Sequence, residues 1–399
     1  MSFTMGGRDV RLVAGARAVS WLGDEVALVA LMLHTQSHGA IAVAALMIAN
    51  TVPLVLLSGV VGRLVDRYDN RRLLAASSAA QVLACAALAY APSQPTVLAL
   101  LALLGAGQAV NSASWSALLP AIVTADDLPR AVGAVQASTT VAGIVAPAIG
   151  GLLYGAYGTR VPLLVDAVSF LVVFGAGLAL HARRVVSRPE TKQRGGLAIA
   201  RTDALLRPLI VMLALFVLLG SMVNVVDVFL VRGTLGASAL WYGLAGAAYS
   251  IGAFIGAVGA GRLRGAVALS RGLVASCATL AIGLGAMGCV PNVVWLLPLG
   301  VIAGAANGTL VVTLSSLVYG HVAADVRGRI AALLSGVSNG VQLIAFVLGG
   351  VLTSALDPRA AFVLAGGCGL LAPVLLGRAV LRAAAQARTA DSDAMETVS

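Results

Sequence analysis

The sequence predicts an all-α membrane protein with twelve transmembrane helices in two pseudo-symmetric six-helix bundles. Three observations carry that prediction. The 399 residues are 59% hydrophobic and only 11% charged, against roughly 25% charged in a soluble domain, and the mean hydropathy is +0.97. Apolar runs long enough to cross a bilayer, which takes about 20 residues, recur along the whole chain. A single offset also maps one half onto the other. Gly62-Arg63-Leu64 returns as Gly261-Arg262-Leu263, Gly105-Ala106 as Gly304-Ala305, Gly150-Gly151 as Gly349-Gly350, and Arg160 as Arg359, each 199 residues on (304 − 105 = 199). Six spans per half leave both halves facing the same way, a parallel repeat about an axis along the membrane normal.

The spans are expected near residues 12–34, 40–62, 73–91, 96–118, 132–155, 161–182, 208–231, 241–262, 270–289, 294–318, 330–355 and 359–381. Span 1 is long and interrupted by Arg17, Asp24 and Glu25, unlike the core of a signal peptide, so it is expected to remain in the membrane. Span 2 ends at Gly62, where a loop with six charged residues in eleven opens; that loop cannot lie in hydrocarbon. Short loops join spans 3 to 6, so neighbours run antiparallel. The polar, basic segment 183–207 then divides the chain and contains the one lysine, Lys192. Spans 7 to 12 repeat the pattern with short loops. The expected organisation is an N-terminal bundle at 1–182, a cytoplasmic basic linker at 183–207, a C-terminal bundle at 208–387 and a disordered tail at 388–399.

Charge placement sets the orientation. Arg160, Arg232 and Arg359 alone occupy odd-numbered loops or their edges, and Arg17 lies within span 1, leaving 22 of the 26 basic residues in the tails, the even-numbered loops and the span ends that adjoin them. By the positive-inside rule both termini are cytoplasmic. The net charge of +10 then faces anionic lipid, and no nucleic acid is required. The Arg-rich, Lys-poor composition suggests a bacterial source, which places the chain in the cytoplasmic (inner) membrane.

Polar residues within spans are costly and therefore informative. Arg17, Ser20 and Asp24 share one side of span 1, with Glu25 about 100° further round. Arg17 and Asp24 lie about 10 Å apart by helical rise, which leaves two readings open: an internal ion pair that fixes packing, or proton uptake at Asp24 or Glu25. In span 4, Gln108, Asn111, Ser112 and Trp115 share a face; in span 5, Gln136, Thr139, Thr140 and Gly143 do. The 199-residue shift carries the latter set onto Ser335, Ser338, Asn339 and Gln342 of span 11, and Asn307 is an isolated polar residue of span 10. These stripes point to a hydrated substrate cavity, with helix–helix hydrogen bonding as the alternative. Asp166 and Asp227 are expected at the outer interface beside Arg160 and Arg232, with Asp227 also open to proton coupling.

Several motifs match only by pattern. Gly336-Val337-Ser338-Asn339-Gly340 lies inside a span, where a nucleophile elbow cannot form. Gly283-Leu284-Gly285-Ala286-Met287-Gly288 follows no strand, so it is no dinucleotide site. Lys192 has no Walker context, so ATP is not the fuel on this chain. The four cysteines fall in apolar runs without paired spacing, and the histidines have no metal-ligand spacing. No enzyme chemistry, metal or cofactor is indicated.

The loop Gly62-Arg63-Leu64-Val65-Asp66-Arg67-Tyr68-Asp69-Asn70-Arg71-Arg72 resembles the loop between helices 2 and 3 of the major facilitator superfamily, whose pattern is Gly-x-x-x-Asp-basic-x-Gly-basic-basic. Gly62, Asp66, Arg67 and Arg71 match, and Arg72 keeps the cationic end. Asp69 replaces the second glycine and Asn70 a basic residue. Ser20-Trp21-Leu22-Gly23-Asp24, Leu118-Leu119-Pro120 and Arg327-Gly328-Arg329 resemble the drug-efflux branches, the macrolide-efflux type above all. The exporter pattern of helix 5 is kept only in part, as Gly133, Ala142, Ala146, Pro147, Gly150 and Gly151. Where proton antiporters of the superfamily often carry an Arg in helix 4, this chain has Leu101, so coupling becomes a helix 1 question.

The resemblance implies a monomeric secondary transporter that exports amphipathic drug-like compounds in exchange for protons, through two bundles that rock about a central site. It implies a gate in which Asp66 approaches the start of helix 11 near Arg329, favoured by the helix dipole, while Arg67 and Arg71 bind Asp126 or Asp127. A metabolite or siderophore exporter of the same fold is the alternative.

Overall fold

The computed structural model describes residues 6–91, 93–124, 127–180, 203, 205–323 and 326–396. Among these residues every regular element is helical, and twelve long helices follow one another where the sequence places spans. They are α1 (Gly6–Thr35), α2a (Ala40–Leu56) with α2b (Ser58–Arg67), α3 (Asn70–Leu88), α4 (Gln94–Ile122), α5 (Leu128–Tyr157), α6 (Arg160–Ala179), α7 (Leu206–Val228), α8 (Ala239–Ala260), α9 (Ala266–Gly288), α10 (Leu296–His321), α11 (Arg327–Ala355) and α12 (Pro358–Glu396). Nine are long and apolar enough to cross a membrane, or ten if α2a and α2b, bent by 52° at Leu57, count as one span. The remaining two, α1 and α3, carry some of the polar residues of the site, Asp24 on α1 and Gln81 and Cys85 on α3.

Local sequence explains the boundaries. The break in α2 falls at a Ser-Gly pair, a common cause of sharp bends, and the Ser58 hydroxyl donates to the Val55 carbonyl at 2.9 Å. Gly39 adopts φ 95° at the turn into α2a, a left-handed value that favours glycine. Asp69 is the N-cap of α3 and accepts from the Arg71 amide at 3.0 Å. Asp203 accepts from the amides of Leu205 and Leu206, both at 2.9 Å, at the start of α7. That helix ends in a π-turn, Phe229–Thr234, closed by Leu235 N donating to Leu230 O at 2.9 Å.

The chain divides into two compact units, Met1–Glu190 with Ala237–Ala247, and Thr191–Gly236 with Ala248–Ser399. In the first, the bundle is drawn together at glycines. A Cβ on Gly105 would collide with the Asn50 carbonyl of α2a, and one on Gly150 would stand 3.0 Å from Val29 Cβ of α1. The second unit repeats the first contact and makes the second one helical turn away. Gly304 abuts the Tyr249 carbonyl, and Gly349 abuts Val225 of α7 at 3.0 Å. The Gly105–Asn50 and Gly304–Tyr249 pairs are related by the same offset at both members (249 − 50 = 199), so the sequence repeat is a repeat of helix packing.

The expected linker at 183–207 lies outside the described residues except for 203 and 205–207. The last helix continues to Glu396, beyond the expected end at 381 and through most of the segment expected to be disordered. The Ala-rich run Ala383–Ala385 favours helix intrinsically, which accounts for the continuation.

Candidate functional site

Inside the first unit lies a cleft lined by Asp24, Ala27, Leu28 and Leu31 of α1, Asn50 of α2a, Leu101, Leu104 and Gln108 of α4, and Leu163 and Asp166 of α6. Its water-accessible volume is about 80 Å³, room for several water molecules, since one needs about 10–15 Å³. Two carboxylates therefore share one largely apolar chamber. Asp24 accepts from Gln108 Nε2 at 2.7 Å. Asp166 accepts from Cys85 Sγ of α3 at 3.2 Å and from Ser169 Oγ at 3.0 Å. Among the described residues neither carboxylate is ion-paired, whereas Arg71 pairs with Asp69, Arg130 with Asp127 and His321 with Asp203.

Helix 1 reaches this place because Gly23 lets it. A Cβ there would stand 2.6 Å from Asp166 Oδ1 and 2.6 Å from Ser169 Cβ, closer than side chains pack. The glycine thus sets Asp166 against the backbone of the residue preceding Asp24.

A hydrogen-bonded chain extends from the cleft along α3 and α4. Gln81 Nε2 donates to the Leu104 carbonyl at 3.2 Å, Asn111 Nδ2 donates to Gln81 Oε1 at 2.6 Å, and Ser77 Oγ donates to Asn111 Oδ1. At the foot of α3, Arg71 donates to the Leu180 carbonyl at the end of α6 and pairs with Asp69 at 3.3 Å. Burial raises the Asp69 carboxyl's pKa, but its bonds with Arg71 outweigh burial and hold it below the usual carboxylate range.

Several expected site residues fall elsewhere. Arg17 is half-buried and makes no ion pair with Asp24, whose partner is Gln108. Glu25, adjacent to Asp24, is half-buried. Asp166, expected at the interface beside Arg160, is 2% exposed inside the bundle, and Arg160 lies over the Tyr90 ring at 5.4 Å. Six residues turn a helix through about 600°, which puts the two on different faces. Asp227 is half-buried in α7. The span 4 stripe divides: Gln108 meets Asp24, Asn111 turns to α3, Ser112 is exposed, and Trp115 packs at 4% exposure among Val13, Leu74, Leu118 and Val173.

Gln136 is exposed, while Thr139 and Thr140 return their hydroxyls to α5 carbonyls at 3.2 and 2.8 Å. In the second unit Ser335 is exposed and Asn307, Asn339 and Gln342 are half-buried. Of the gate residues, Gly62, Asp66, Arg67 and Arg72 are exposed, and Arg329 is half-buried. Asp126 lies outside the described residues. Arg71 takes Asp69, two residues away, rather than Asp127, which pairs with Arg130 at 3.5 Å. The nearer partner needs less chain to be ordered. Cys85, Gln81, Ser77 and Asn50 were not among the expected site residues. The internal repeat could have flagged the first two, because their counterparts at +199 are Leu284 and Leu280.

Two like-folded helical halves, with a carboxylate-lined chamber in the first, are an arrangement that membrane transporters use. The sequence profile of the Major Facilitator Superfamily matches residues 13–241 and 210–396, and the chain belongs to that superfamily. It is 29% identical over 384 residues, 88% of each chain, to the multidrug efflux pump Tap of Mycobacterium tuberculosis and of Mycobacterium bovis. Among solved structures, a bacterial homologue of the iron transporter ferroportin superposes with a TM-score of 0.74 at 16% identity, over 96% of this chain and 100% of that one. The nucleoside transporter NupG gives 0.74 at 11% identity, over 94% and 100%. At these identities the likeness is one of fold.

Proposed function

We propose that this chain is a proton-coupled exporter of amphipathic, drug-like small molecules, working by alternating access in the bacterial cytoplasmic membrane with both termini inside the cell. The observation that carries this is the chamber of the first bundle. It has apolar walls, no paired cation among the described residues, and a carboxylate, Asp24, that accepts from the Gln108 amide. Ordering an unpaired carboxylate within a membrane bundle is expensive, and proton exchange gives a use for it. Similarity along 88% of the chain to a multidrug efflux pump supports export of small molecules. In this reading Asp66, Arg67, Arg71, Arg72 and Arg329 form the cytoplasmic gate, and the polar residues of α5, α10 and α11 face the substrate path.

The test is ethidium accumulation in intact cells, with and without an uncoupler. Cells expressing the chain should hold less dye, and the uncoupler should abolish the difference. Asp24→Asn should lose export driven by a pH gradient and keep downhill exchange. Expulsion of dye that survives the uncoupler would sink proton coupling. Normal export by Asp66→Asn would remove that residue from the gate.

A further inference from the structure

We propose that Asp166 of α6 is the second half of the proton site: Asp24 and Asp166 form a carboxyl–carboxylate pair that carries one proton per cycle, with Asp166 held in place by Cys85 and Ser169. The proposal rests on the proton-coupled reading above and adds to it a residue on a different helix.

The internal repeat separates function from packing here. In the second unit the positions 199 residues on from Asp24, Gln81, Cys85, Asn111 and Asp166 are Val223, Leu280, Leu284, Leu310 and Ala365. All five are buried hydrophobics. Gln108 and Ser77 do have polar counterparts, Asn307 and Ser276, but the same helix scaffold is built without either acid, so the fold does not call for them in the first unit. Removing a buried polar pair in favour of well-packed apolar side chains is commonly neutral or stabilising, yet the first bundle keeps both acids.

The surroundings suit a proton. The titratable groups facing the chamber are Asp24 from α1, with Glu25 next to it in sequence, Asp166 from α6, and Cys85, which reaches Asp166 from α3. Helices α2a and α4 contribute only Asn50, Leu101, Leu104 and Gln108. No described cation pairs with either acid, so double ionisation has no counter-charge, and two such carboxylates are more stable with one proton between them. The thiol and hydroxyl on Asp166 are neutral donors that do not supply that charge. They orient one carboxyl toward the chamber, while Gln108 orients the other.

The test uses the full-length chain in lipid nanodiscs and reads the carboxylic C=O stretch by infrared difference spectroscopy during a pH titration. The wild type should show a protonated membrane carboxyl that titrates. Both Asp24→Asn and Asp166→Asn should remove or displace it, and Cys85→Ala, which keeps both acids, should shift its frequency. An unaltered titration in Asp166→Asn overturns the proposal. So does loss of the band on adding sodium at constant pH, which would make the pair a sodium site. In proteoliposomes, Asp166→Asn should lose ethidium transport driven by a pH gradient yet keep downhill exchange, and Asp166→Glu should restore the driven component. Full driven transport by Asp166→Asn also overturns the pair. A wild type that does not move ethidium but shows the shared titration would refute the export reading and leave the pair standing.

Discussion

Gly23 shows how much one absent methyl group decides. It brings α1 against α6 so that Asp24 and Asp166 open on one chamber, and alanine there would press on Ser169 and Asp166. Overpacking of this kind costs about 1–3 kcal/mol. Gly23→Ala is expected to lower the melting temperature in detergent and to impair pH-driven dye export more than Gly15→Ala, where a Cβ meets open space. Equal effects of the two would refute the close-approach argument. Asp203 makes a second residue-scale case, outside the membrane. Burial alone would raise its pKa, but the amides of Leu206 and Leu205 and the His321 ring outweigh this and hold it below the ordinary carboxylate value. A depressed folded pKa gives stability that is present above the unfolded value and lost as pH falls through the folded one. Asp203→Ala should therefore cost about 1 kcal/mol at neutral pH, the size of a lost capping bond, and the deficit should vanish in acid below the usual carboxylate range. A deficit independent of pH would mean that packing, not the cap, is lost.

At the scale of elements, α3 ties the charged loop to the chamber. Asp69 caps it, Arg71 fastens its foot to the end of α6, and Gln81 and Cys85 reach α4 and Asp166 higher up. The departure from the family's loop pattern at 69 thus has a local cause, since glycine there would leave Arg71 without its carboxylate. Asp69→Gly is expected to weaken the α3–α6 contact, measured as faster hydrogen exchange at the start of α3, with Asp69→Asn, which keeps a capping oxygen, closer to wild type. Unchanged exchange in both would detach the cap from the stability of α3. Helix identity and order were legible because a bilayer demands long apolar runs. The site was less so. The stripe of span 4 gave Gln108 its place because it faces α1, but periodicity cannot tell which neighbour covers a face, and so Trp115 went to the core. Asp166 was assigned to the interface by its nearness in sequence to Arg160, although helical geometry separates them.

The whole molecule is two copies of one packing scheme, and the copies differ in what they carry. Gly105 against Asn50 and Gly304 against Tyr249 are the same contact made twice, with a carbonyl oxygen where a Cβ would sit. A backbone atom cannot rotate away, so alanine at either position should force two helices apart and cost about 1–3 kcal/mol. The repeat makes the comparison sharp. Gly105→Ala and Gly304→Ala should lower thermal stability by similar amounts, because the scaffold is shared. They should differ in function, because only Gly105 lies on a helix that lines the acidic chamber. Displacing α4 moves Gln108 relative to Asp24, so Gly105→Ala should change the pH dependence of dye transport, whereas Gly304→Ala should reduce transport without altering its pH profile. Equal pH profiles at equal stability loss would mean that the chamber is incidental to coupling, and the asymmetry between Asp24 and Val223, or Asp166 and Ala365, would need another explanation.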